Sequence, residues 1–222
     1  MKTTQKITTV LAIAASAFLA SCSFSPKGDE AKVGEAEEVD SLSGTELLID
    51  TASSKIGFTG YGVGKEHPGY FKISSGKVAV SNGKISGGNF VINTTSLSLS
   101  QQESMFQTKL KGHLLSADFF DVEKYPTANF EITAVEPFTP TAGDSSVISG
   151  ANYKVSGNFT LRGVTKNVTF PARVDLTNGS MHALASFNID RNLWDMKYGN
   201  DKSLKDKFIS ETVNITFDIK SN

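Results

Sequence analysis

Cysteine is nearly absent: Cys22 is the only one among 222 residues, which excludes a disulfide framework. An excess of either charge is lacking too, with 22 Lys and Arg against 23 Asp and Glu. Beyond residue 50 the count is 18 basic to 15 acidic, a formal +3. That is far from the dense basic face with which a protein neutralises phosphates, so nucleic acid is not an expected partner. No glycine loop has the Walker or Rossmann spacing, and no serine elbow occurs. The three histidines, His67, His113 and His182, include no pair four apart, the helical spacing that seats a metal. The uncharged apolar run Ile7 to Ala20 falls short of the ~20 residues a bilayer-spanning helix needs. Catalysis is left with little more than the nearby carboxylates Asp118 and Asp121, and such pairs arise by chance in most chains.

The amino terminus has the layout of an export signal: Lys2 and Lys6 precede that apolar run. The run closes on Leu19-Ala20-Ser21-Cys22, which resembles the lipobox of bacterial lipoproteins. The resemblance implies cleavage before Cys22 and acylation of its new terminus, which leaves no cysteine nucleophile. Each buried acyl methylene stabilises anchoring by ~0.8 kcal/mol, and stable anchoring takes more than one chain. Residues 1–21 are therefore expected to be a signal peptide, and a membrane is an expected partner through acylated Cys22. The expected location is the bacterial cell envelope, at the outer membrane, facing the periplasm or the cell surface. From Ser23 to Asp50, eight acidic residues stand against Lys27 and Lys32, with few large apolar residues. Such a segment cannot bury enough surface to fold alone, and its charge extends it. Residues 22–46 are expected as an acidic flexible tether, and 47–222 as one folded domain.

Within that domain the dominant signal is alternation. Val213, Ile215, Phe217 and Ile219 alternate with polar neighbours, as do Val168, Phe170, Ala172, Val174 and Leu176. Tyr153, Val155, Phe159 and Leu161 repeat the pattern around Gly157, and Phe130 with Ile132 on a further strand. One wet and one dry face per strand is the mark of half-buried antiparallel sheet. Asn82-Gly83 and Asn178-Gly179 fit two-residue hairpins, where both residues tolerate positive φ, and Arg162-Gly163 is expected to open a third. Ile85 differs in parity from Phe90 and Ile92, so a bulge is expected at Gly87-Gly88. One helix of about three turns, near 101–111, is expected from the capping pair Ser100 and Glu103. Phe106, Leu110 and Leu114 recur along it every fourth residue, and Gly112 is a plausible stop. The fold class is all-β: a lipocalin-like antiparallel barrel of about eight strands with one capping helix. A barrel of that size either fills with side chains or holds one small ligand.

The dry faces carry small residues, Gly157, Ala172, Ala183 and Ala185, in register with large ones. Voids are rare in packed interiors, so small residues there suggest an open cavity. Small and large side chains also alternate simply to fit a barrel's taper, and composition does not decide between the two. Thirteen phenylalanines beyond residue 50 suit the wall of an apolar pocket and suit a core equally. The candidate wall residues are Phe58, Phe130, Ile132, Val155, Gly157, Phe159, Phe170, Ala172, Ala183, Ala185, Phe187, Ile215 and Phe217.

Several segments in order resemble the YceI-like family of polyisoprenoid-binding bacterial proteins. They are His67-Pro68-Gly69-Tyr70-Phe71, Gly87-Gly88-Asn89-Phe90-Val91-Ile92, and His113 to Glu131 with Ser116-Ala117-Asp118-Phe119-Phe120-Asp121. Gly157 to Lys166, and Phe187 to Tyr198 with Arg191 and Trp194, continue the match, which runs from about Leu48 to Lys220. The resemblance implies a barrel with an interior tunnel for a polyprenyl chain, without catalysis and without a cofactor. The expected ligand is an apolar isoprenoid lipid, a polyisoprenoid or isoprenoid quinone, carried or sequestered by a membrane-tethered lipoprotein. His67, His113, Phe119, Phe120, Arg191 and Trp194 are the candidates for the cavity end. His67 and His113 could equally brace loops through backbone hydrogen bonds, and His182 is expected to face solvent. The alternatives are a structural or adhesive surface lipoprotein with a filled barrel, and a metal site from His67, His113, Asp118 and Asp121. Nothing in the sequence indicates a homodimer.

Overall fold

The computed structural model describes residues 27–62, 64–101, 104–201, 203 and 208–222. Residues 1–21, expected as an export signal, Cys22 and Glu103 lie outside the described residues.

Eight long strands close a barrel: β4 (Lys55–Gly62), β5 (Lys65–Ser81), β6 (Lys84–Leu99), β7 (Thr127–Pro137), β8 (Tyr153–Leu161), β9 (Val164–Thr177), β10 (Ser180–Asp190) and β11 (Thr212–Lys220). Three shorter strands precede them, β1 (Asp29–Glu30), β2 (Lys32–Glu35) and β3 (Thr45–Leu48). Neighbours β4 to β9 pair antiparallel in chain order, β11 joins β10 to β4, and β9 pairs with β10 to close the ring. Closure leaves none of the eight strands with an edge free along its whole length. All three expected hairpins are present. Asn82 and Gly83, Arg162 and Gly163, and Asn178 and Gly179 all adopt positive φ, between 49° and 80°. This is the mirror-image turn whose twist matches that of paired strands. A register shift stands between Ala79 and Val80 where β5 meets Gly87 and Ile85. It is the bulge that returns Phe90 and Ile92 to the interior.

The helix α1 (Met105–Leu115) lies about four residues later than its sequence signals suggest. Ser104, not Ser100, is the N-cap, accepting from the Gln107 amide at 3.2 Å. Gly112 lies inside the helix rather than ending it, and a Cβ added there would meet nothing within 4 Å. The helix stops at Ser116, whose amide returns to the His113 carbonyl.

The segment expected as a free acidic tether differs most from expectation. Strands β9 and β10 pair only from Ala172 and Ala185 to their shared turn, then part. Left uncovered, the two edges beyond the parting would carry unpaired amides and carbonyls, which sheets avoid. Strand β1 pairs in parallel with β10 at Phe187 and Asn188, and β2 pairs with β9 from Lys166 to Thr169. Buried outer-face asparagines hold this arm down. Asn188 Nδ2 donates to the Gly28 carbonyl at 3.0 Å, and Asn158 exchanges two hydrogen bonds with the Glu37 backbone. The segment has no apolar stripe of its own; the split wall supplies the partners that its composition lacks.

Candidate ligand-binding site

Inside, the barrel has two unlike halves. The half nearer α1 encloses a cavity of about 400 Å³ with an almost wholly carbon lining. Its walls are Ile56 and Phe58 from β4, Phe71 from β5, Ile92 from β6, Ala128 from β7, Phe159 and Leu161 from β8, Ile189 from β10, and Val213 and Ile215 from β11. Helix α1 lies over the opening with Phe106, Leu110 and Leu114, its every-fourth-residue stripe, facing in. Phe119 and Phe120 follow as a second flap, and the Phe120 ring meets Phe71 edge-on with centroids 5.0 Å apart. Phe106 remains 57% exposed, so the opening is only partly covered.

Few polar groups reach the cavity. Thr94 spends its hydroxyl on the Tyr125 carbonyl at 2.8 Å. Arg191 lines the wall at 2% exposure and donates to the carbonyls of Ser210, Ile209 and Met196. Burial pushes its pKa below the usual arginine value, while Asp190 and Glu211 act against that. Its hydrogen bonds tie the segment after β10 to the one before β11. His67 stacks obliquely on Phe106, centroids 5.8 Å apart. Its buried Nδ1 has no hydrogen-bond partner among the described residues. Burial, and then the charge of Lys65, lower its pKa and favour the neutral ring. An enclosed carbon-walled space with one idle polar atom at its edge suits an apolar molecule.

The sequence matches the YceI-like domain over residues 48–221. The chain belongs to the YceI-like family. Among curated relatives, a UPF0312 protein of Pseudomonas putida is 35% identical over 130 residues, 58% of this chain and 57% of that one. The YceI protein of Escherichia coli is 33% identical over 114 residues, 51% and 48% of the two chains. The chain thus spans about half the length of the curated relatives it matches. The solved Burkholderia cenocepacia BcnA shares the fold with a TM-score of 0.62 at 22% identity, covering 78% of this chain and 99% of that one. A Saccharophagus degradans domain described as polyisoprenoid binding superposes at 0.57 with 15% identity, covering 79% and 97%.

In this YceI-like barrel the sequence candidates divide between the two halves. Phe58, Phe159, Ile215, His67, Phe119, Phe120 and Arg191 line the cavity. Phe130, Ile132, Val155, Phe170, Ala172, Ala183, Ala185 and Phe217 lie in the other half, around a void of only about 50 Å³. Phe187 is fully buried there, its ring stacked on Phe170 at 4.0 Å across the parting of β9 and β10. Gly157 makes room for a ring rather than for a ligand, while Ala172, Ala183 and Ala185 line that small void. A Cβ on Gly157 would lie 2.4 Å from the Phe130 ring. His113 is outside the lining, bonded to Asp118 Oδ2 at 2.9 Å with its ring edge-on to Phe119 and Tyr198. Trp194 is likewise outside it, fully buried, its Nε1 donating to the Phe159 carbonyl at 2.9 Å. His182 sits on the outer face against Asp218 at 2.8 Å. No three of His, Cys, Asp and Glu come together among the described residues.

Missing from the sequence candidates were Ile56, Phe71, Ile92, Ala128, Leu161, Ile189 and Val213. Their inward parity was readable. What was not readable is which end of each strand borders open space.

Proposed function

We propose that this YceI-like chain binds an apolar isoprenoid lipid in the α1-side cavity, without catalysis, and carries or sequesters it. The observation that supports this is the 400 Å³ carbon-lined cavity, within the ~300–1,000 Å³ range of sites that enclose drug-sized molecules. The Saccharophagus degradans domain, described as polyisoprenoid binding, lends the same reading a precedent in fold. The idle Nδ1 of His67 offers a hydroxyl or carbonyl at the lipid's polar end its one hydrogen bond. The lipobox-like Leu19-Ala20-Ser21-Cys22 supports a lipoprotein anchored in the cell envelope, placing the cavity within reach of a membrane source of ligand.

The test is direct. Protein purified from its own membranes should yield a stoichiometric isoprenoid on solvent extraction and mass spectrometry. Only bulk phospholipid in the extract, in proportion to the detergent carried over, would sink the reading.

A further inference from the structure

Apolar side chains stand exposed around the open end of the barrel. Met105, the first residue of α1, is 76% exposed, the most of any large apolar side chain among the described residues. Phe106 beside it is exposed although it also lines the cavity. Leu193, two residues past Arg191 of the lining, and Tyr198, edge-on to His113 of α1, are exposed as well. Single apolar residues on a surface are ordinary, but several around the mouth of a cavity mark an interaction site. The charge here is positive. Helix α1 carries Lys109 and Lys111 and no acidic residue, and Lys109 follows Met105 by four, on the same side of the helix. Lys65 stands exposed at the cavity mouth. None of these three lysines is in an ion pair among the described residues.

The amino-terminal arm arrives at the same end. A backbone hydrogen bond joins Lys27 to the hydroxyl of Tyr61, which lines the cavity and is the last residue but one of β4. From there four residues lead back to Cys22, the expected site of acylation. We propose that the α1 end of the barrel is a membrane-docking face. Met105 and Phe106 enter an anionic bilayer while Lys65, Lys109 and Lys111 meet its phosphates, so the cavity opens directly onto lipid. Docking of this kind orients rather than holds. Two side chains bury less carbon than a single myristoyl chain, whose own grip is marginal and reversible. Each lysine at an anionic surface adds a small increment that salt screens. The face therefore works together with the anchor expected at Cys22, and an apolar molecule can pass beneath α1 without entering water.

Trp194 is the only tryptophan and is fully buried, so a second tryptophan reports its own surroundings once the wild-type signal is subtracted. Full-chain Met105→Trp is mixed with an excess of phosphatidylglycerol and phosphatidylcholine vesicles whose acyl chains carry bromine, a contact quencher. Leu48→Trp is the control. Leu48 is comparably exposed at 67% and pairs with Lys77 of β5, about 20 Å or more from the mouth along tilted strands. An apolar face enters a bilayer by only ~5–10 Å, so quenching at Met105→Trp is expected to be about twofold or more that at Leu48→Trp. It should fall by about half or more in vesicles of phosphatidylcholine alone, and likewise when Lys109→Glu and Lys111→Glu are added. Equal quenching at the two ends, or more at Leu48→Trp, would overturn the docking face. Quenching indifferent to vesicle charge and to both lysine substitutions would overturn the part assigned to the lysines. A doubled mass in solution, with Met105→Trp shielded from aqueous iodide before vesicles are added, would overturn docking in favour of pairing between two copies. None of these outcomes depends on cargo: a failure to extract an isoprenoid leaves the docking face standing, and equal quenching leaves the isoprenoid reading standing.

Discussion

His67 is where a single side chain gives the cavity a measurable signature. The ring packs on Phe106 at the cavity edge, and burial followed by the nearby Lys65 charge lowers its pKa below the usual histidine value. Unfolded, the ring titrates near ~6.5. Between that value and the lower folded one, the unfolded chain binds more protons, so stability rises with pH across the window. The contribution is fully present above ~6.5 and lost as pH falls through the folded value. His113 and His182, placed against Asp118 and Asp218, are present in both proteins of the comparison. Wild-type protein is therefore expected to lose more stability from pH 6.5 to 5 than His67→Phe does, as followed by urea midpoints. Parallel midpoints for the two proteins would mean that the ring is not held neutral.

At the scale of elements, the amino-terminal arm is the part whose role depends least on its own sequence. Gly28 approaches the wall so closely that a Cβ would lie 2.2 Å from Asn214 Nδ2 and 3.0 Å from the Phe187 carbonyl carbon. Gly28→Val is expected to undock residues 28–35 and leave Asn188 and Asn214 without the arm's carbonyls. Unsatisfied buried polar groups cost ~1–3 kcal/mol, so exchange of the Ala31 amide, now bonded to the Asn188 carbonyl at 3.2 Å, should quicken by tenfold or more. The barrel amides should keep their protection. Unchanged exchange at Ala31 would show that the arm does not depend on this close approach.

The docking of the arm and the extent of the cavity were the two things the sequence did not reveal, for related reasons. Hairpins at Asn82-Gly83 and Asn178-Gly179, the bulge near Gly87 and the alternation of β8 to β11 are local, set by turn sterics and a period of two. Docking of β1 and β2 is not local. It follows from β9 and β10 parting beyond Ala172 and Ala185, a divergence that nothing in residues 29–35 encodes. The cavity is similar. Its wall residues Ile56, Phe71, Ile92, Phe159, Ile189 and Ile215 are spread over most of the domain and meet only in the closed barrel. Small residues pointed to open space, yet Gly157 serves a ring, and the small residues that line the open half are Gly60, Gly62 and Ala128. The helix boundary slipped for a simpler cause: Ser100 and Ser104 both precede the apolar stripe, and the serine nearer to it caps.

For the whole molecule, the docked arm changes what anchoring at Cys22 would mean. A free segment of 22–46 would hold the barrel off a membrane on a long charged leash. With the Lys27 carbonyl already accepting from Ser186 Oγ at 3.2 Å, only four residues, and so five Cα-to-Cα steps, separate Cys22 from Lys27 on the barrel wall. At ~3.5 Å per extended residue, that reach is no more than ~18 Å. Acyl chains on Cys22 would keep the cavity close to the bilayer surface, a short path for a ligand too apolar to cross water. Cys22→Ala removes the acceptor for those chains and leaves every described contact intact. It is expected to move the protein from the membrane fraction to the soluble fraction of its host, with the barrel folded and its cavity still competent for lipid supplied in micelles. Membrane association that persists in this variant would overturn the lipoprotein reading. Soluble protein that no longer binds the supplied lipid would instead overturn the independence of cavity and anchor, which lie on different residues.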